Sequence, residues 1–135
     1  MLCSQRGPAI TVTVPPYTPP VPPTPRPPFW VFREAINEVE AYVRIDWCKV
    51  PGATRYEVEV KGLGLVYNGP GVSGKGIGST TVYGLRPGTE YLVRVRACNE
   101  SGCSPWSSWA SIHTPYSGWA GYPVYPHPEC IPEPT

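Results

Sequence analysis

Charge is scarce in this chain. Asp, Glu, Lys and Arg make up 16% of its 135 residues, the formal net charge is +1, and Asp46 is the only aspartate. Binding to nucleic acid or to an anionic membrane surface needs a basic excess, so neither is an expected partner. No apolar run approaches the roughly 20 residues of a membrane helix, so no membrane insertion is expected. There is no CxxC, and His113 and His127 lie far from any close cysteine pair, which leaves no spacing for a zinc site and no metal or cofactor to expect. No pair of carboxylates forms an acid/base couple, and no nucleophile motif accompanies His113, so the chain reads as a non-enzyme. No apolar h-region follows Met1, and the expectation is an uncleaved product without a signal peptide.

What the sequence holds in excess is proline. Half of its twenty prolines lie in residues 1–28, mostly in VPPYTPPVPPTPRPP. Such a run lacks donors and fixes φ, which predicts an extended polyproline II arm. At about 3.1 Å per residue, residues 14–28 would reach roughly 45 Å. PxxP spacings occur, but Arg26 is misplaced for either Arg-flanked ligand form, so a stiff spacer or packing arm is the reading preferred to a docking ligand. Residues 116–135 are again proline-rich but interleaved with Tyr116, Trp119, Tyr122 and Tyr125, a tail suited to lying on a neighbour. The arm is positive (Arg6, Arg26) and the tail negative (Glu129, Glu133), a weak mutual attraction.

Between them, residues 29–115 alternate with period two. In AYVRIDW, Val43, Ile45 and Trp47 share one face and Tyr42, Arg44 and Asp46 the other. Tyr56, Val58 and Val60 share a face in RYEVEVK, with Glu57 and Glu59 outward, as solvated residues stand. Tyr91, Val93, Val95 and Ala97 share a face in YLVRVRA, opposite Arg94 and Arg96. Strict alternation predicts half-buried antiparallel strands. Turn signals lie between them: VPGAT, YNGPGVSGKGIG, RPGT and NESG. FREAINEVEAYV has helix formers but no cap, and reads as the first strand and its turn. The expected class is an all-β sandwich or barrel.

These residues carry a resemblance. VRIDWCKVPGATRYEVEV is similar to the second and third strands of a fibronectin type III domain, and YGLRPGTEYLVRVRACNESGCSPWS resembles that family more closely through Leu85, Pro87, Gly88 and Tyr91. The resemblance covers about residues 29–115. It implies a seven-stranded antiparallel two-sheet sandwich, here with a proline-rich arm before it and a proline/aromatic tail after it. The implied core includes Trp47, Tyr56, Leu85, Tyr91, Val93 and Val95, with Tyr91 forming a tyrosine corner. It also implies that NESG joins the last two strands, which would set Cys98 and Cys103 across a hairpin. A disulfide there is the preferred reading, with reduced thiols or a redox pair as alternatives.

Five cysteines leave an odd thiol. Cys3 and Cys130, one in each arm, are candidates for cross-links within or between subunits, and alternation turns Cys48 outward beside Trp47. WSSWA resembles the Trp-Ser-x-Trp-Ser box of cytokine-receptor domains, which implies a surface ladder of Arg94, Arg96, Trp106 and Trp109 held by cation–π contacts. The same box resembles a C-mannosylation signal, and Asn99-Glu100-Ser101 is an N-glycosylation sequon. Residues 69–76, GPGVSGKG, nearly match a phosphate loop, but no helix is expected to follow, so a plain loop is the reading.

The function expected from these features is structural. The sandwich serves as a body, and Tyr17, Phe29, Trp30, Trp119, Tyr122 and Tyr125 are candidate assembly contacts with copies of the chain or with other subunits. A virion surface, as a phage capsid or tail decoration component, is the first setting. A secreted cell-surface adhesion or filament subunit is the second, and a carbohydrate- or peptide-binding module the third.

Overall fold

The structure, a computed structural model, describes residues 17–71, 76–123 and 130. Among them there is no helix. The strands are β1 (Phe29–Ala35), β2 (Ala41–Cys48), β3 (Arg55–Val60), β4 (Gly64–Gly69), β5 (Ile77–Leu85), β6 (Glu90–Asn99), β7 (Gly102–Cys103), β8 (Ala110–His113) and β9 (Ala120–Gly121). One sheet has the order β5-β2-β1-β9; the other runs β4-β3-β6, with β7 and β8 both paired to β6. All pairings are antiparallel.

The alternation works as a packing rule. Val43, Ile45 and Trp47 of β2 and Val58 and Val60 of β3 are fully buried, as are Val93, Val95 and Ala97 of β6. Five of the six expected core residues belong to this layer; the sixth, Tyr91, is half-buried and packs against it. Its hydroxyl accepts the Arg86 N–H at 2.8 Å, the tyrosine corner. Trp47 fills the space between the sheets, with Tyr56 and Tyr67 rings at 5.7 and 5.6 Å. Gly78, its partner across β2 and β5, gives it room, because a Cβ there would lie 2.3 Å from the indole.

β7 and β8 are the two ends of one edge strand, so the body has the expected seven strands. Between them the chain takes a three-residue period, like polyproline II, rather than a two-residue one. Ser104 and Ser107 turn inward; their N–H groups donate to Ala97 O and Val95 O at 2.8 Å. Their hydroxyls accept from the Ala97 and Val95 N–H groups at 3.1 and 3.0 Å. β6 thus keeps its ladder satisfied where a regular partner is missing.

Several expectations need correction. The tail does not lie only on a neighbour: β9 adds to the edge of β1, pairing Arg33 with Gly121 and Glu34 with Ala120. The arm also packs on its own body. Pro22, Pro25 and Pro28 are buried, a three-residue period that shows one face of a polyproline II strand docked. Cys130 bonds to Cys48, not to Cys3 or another chain, and Cys48 is therefore buried although it points to the outer face of its sheet. Phe29 and Trp30 belong to β1, and Trp30 packs against the core. The glycine-rich stretch contributes to β4 and β5 at its ends; residues 72–75, Cys3 and Tyr125 lie outside the described residues.

Candidate interaction surfaces

The outer face of the β3–β6 sheet carries the ladder. Cross-strand register sets Glu57 opposite Arg96 and Glu59 opposite Arg94. The Arg96 guanidinium lies 4.5 Å from the Trp106 ring, and Arg94 lies 4.6 Å from Trp106 and 4.3 Å from Trp109. The four predicted residues therefore alternate Arg96, Trp106, Arg94, Trp109. The three-residue period of the edge strand lines up the two tryptophans, while Ser104 and Ser107 hold the backbone.

Below the rings lies an ionic layer. Arg94 pairs with Glu59 at 2.7 Å, and Glu57 receives Arg96 at 2.6 Å and Arg55 at 2.5 Å. Glu57 is not a solvated carboxylate, as alternation alone implied; it is 6% exposed, because the ladder covers it. Burial pushes its carboxyl up, but the hydrogen bonds from Arg55 and Arg96 and the charges of both outweigh burial, and it sits below its ordinary value.

Cys98 and Cys103 are joined at the end of this layer. Glu57 and the two sulfurs lie within 4.8 Å of one another, but sulfurs bonded to each other offer no thiolate to a metal. The hairpin they close holds the arm: Asn99 Nδ2 donates to Pro20 O at 2.7 Å, and the Ser101 hydroxyl donates to Pro19 O. Asn99 Nδ2 also donates to Gly52 O at 3.1 Å and the residue is buried, so the nitrogen of the sequon is covered in this state.

The opposite sheet presents a row that sequence reasoning did not find. Tyr83, Tyr42, Phe32 and Tyr122 touch in turn across β5, β2, β1 and the tail, with centroids 5.5, 6.0 and 5.1 Å apart. The signal was present in Tyr42, an aromatic on the polar face of β2. Of the assembly candidates, Tyr17, Trp119 and Tyr122 are strongly exposed. Tyr116 and Trp119 bracket a turn beside β1.

A two-sheet sandwich with a buried tryptophan on its second strand and a tyrosine corner at the start of its sixth defines the fibronectin-like class. The family model for the fibronectin type III domain matches residues 32–113, and the chain belongs to that family. Among solved structures it is similar to the sixth fibronectin type III domain of human fibronectin type III domain containing protein 3, at 28% identity and a TM-score of 0.53, covering 76% of this chain and 94% of that one. It is similar to the FN3tt crystal structure at 27% identity and TM-score 0.52, covering 71% and 97%. A twitchin kinase region from C. elegans matches at 26% and 0.52 over 71% of this chain but 17% of its own. No curated protein matches the chain.

Proposed function

We propose that the chain is a non-enzymatic interaction module built into a larger assembly on an oxidising outer surface. The family is a general structural and binding module, and that coarse role is this domain's own. One observation supports the finer reading: a doubly cross-linked body displays six aromatic residues at least a third exposed, Tyr17, Tyr83, Trp109, Tyr116, Trp119 and Tyr122. Disulfides belong to secreted, envelope and virion-surface proteins, and exposed aromatics are the side chains protein interfaces favour. The setting proposed first is a virion surface, with a cell surface second. The test is a search for the chain by mass spectrometry in purified particles and in the washed cell-surface fraction of its source. Recovery with particles at fixed stoichiometry is expected. Recovery only as free chain in a reducing compartment would refute the assembly role.

A further inference from the structure

Four strand arginines face a carboxylate: Arg44 with Asp46, Arg55 and Arg96 with Glu57, and Arg94 with Glu59. Arg33 faces none among the described residues. Its guanidinium stacks on Trp30 at 4.2 Å and donates to the His113 carbonyl, strapping β1 to β8 at the open edge of the sandwich. The head is therefore fixed, and burial lowers its pKa with no acid among the described residues to offset the loss of water. A held, half-buried cation without a counter-charge is a receptor for an anion.

Arg33 opens on a cleft of about 390 Å³ that Tyr116 and Trp119 also line. These rings are 76% and 70% exposed, yet their backbone is fixed. Trp119 N–H donates to Tyr116 O at 3.0 Å, Ala35 N–H to Trp119 O at 3.0 Å, and Gly88 N–H to Pro115 O at 2.9 Å. The Tyr116 ring lies over Gly88, where a Cβ would come within 2.9 Å of it. Aromatic side chains on a fixed backbone suit proline rings in a preformed extended strand, and the guanidinium suits a carboxylate. A glutamate flanked by prolines offers both. The sequence contains one such segment, IPEPT at residues 131–135, with Glu133 between Pro132 and Pro134.

We propose that this cleft receives an acidic, proline-flanked strand, and that the occupant is residues 131–135 of a second copy, with Glu133 on Arg33. This rests on the reading of the chain as an assembly component. The chain's own segment is poorly placed for it. Cys130 is bonded to Cys48, while Arg33 pairs with Val43, five residues back along β2. That is about 17 Å between Cα positions at strand spacing, whereas three residues span at most about 11 Å, so the two side chains would have to bridge the remainder. The path would also have to round the sheet, because Cys48 points to its outer face and Arg33 to its inner one.

The test is sedimentation equilibrium of the full chain, of Arg33→Gln, of Glu133→Gln, and of the two variants mixed. Head-to-tail association is expected for the full chain, weakened about tenfold or more in each variant alone. The mixture should regain a heterodimer, since Glu133→Gln keeps the cleft and Arg33→Gln keeps the tail. A structural defect would not be rescued by mixing. If Arg33→Gln does not fold, Trp119→Ala replaces it in the mixture. A full chain that stays monomeric to roughly 1 mM, or a mixture no more associated than its components, overturns the proposal. Particle recovery that survives such a result leaves the assembly role standing through another contact.

Discussion

Glu57 shows how much one residue's environment can depart from its place in a pattern. Its folded-state pKa is depressed, so the stability it contributes is fully present above the unfolded value of about 4.5 and is lost as pH falls through the lower folded value. Glu57→Gln should flatten that acid limb, and at pH 7 it should destabilise by about 1–3 kcal/mol, since two arginines then share no carboxylate. Urea midpoints of both proteins from pH 2 to 7 measure this; parallel acid limbs would show that Glu57 is not the titrating group. Gly78 makes the complementary case in the core. A Cβ there would overlap the indole of Trp47, which has no flexible end to move aside. Gly78→Ala should cost about 1–3 kcal/mol or more as overpacking, read as a drop in the urea midpoint with the slope unchanged. Gly78 stood in the sequence as one glycine of a loop; nothing local to GIGST says that an indole lies across the sheet.

At the scale of elements, the body was legible because period two repeats in β2, β3 and β6 and the tyrosine corner sits in one contiguous run. The ladder was legible through the resemblance of WSSWA to the Trp-Ser-x-Trp-Ser box, which Arg94 and Arg96 fit because they share a strand face. The arms were not. A proline-rich segment shows no alternation, and whether it docks depends on donors far away in sequence. Asn99 and Ser101 supply them here, 79 and 82 residues from the carbonyls they bind. The hairpin is therefore a latch as well as a turn. Replacing both residues by alanine should free the arm while leaving the sandwich folded. The reporter is the contact between Val21 and Gly102, where the Val21 methyl lies 3.6 Å from the position of a Gly102 Cβ. The nuclear Overhauser effect between the Val21 methyl and Gly102 should vanish in the double variant. Full persistence would mean that burial of Pro22, Pro25 and Pro28 holds the arm without the latch.

The whole molecule is closed by two disulfides that differ in what they constrain. Cys98–Cys103 spans 5 residues, and Cys48–Cys130 spans 82. In the chain-entropy account, a cross-link removes freedom from the unfolded chain in proportion to the logarithm of the loop it closes. That gives about 2 kcal/mol for the hairpin bond and about 4.5 kcal/mol for the long one. The long bond also fixes the tail over Cys48, on the same sheet whose free edge β9 covers. An exposed edge strand invites pairing with other chains, and β9 blunts the edge of β1. Removing Cys48–Cys130 by a double alanine variant should therefore do two things that removing Cys98–Cys103 does not. It should lower the unfolding free energy by roughly twice as much. It should also loosen β9, raising amide exchange at Arg33 and Ala35 without a matching rise in β6. Urea titration and hydrogen exchange on the two variants separate the outcomes. Equal losses of stability would mean that native-state packing of the sulfurs, rather than loop closure, sets their contribution. Unchanged exchange along β1 would show that β9 is held by its own hydrogen bonds and the Tyr116–Trp119 turn.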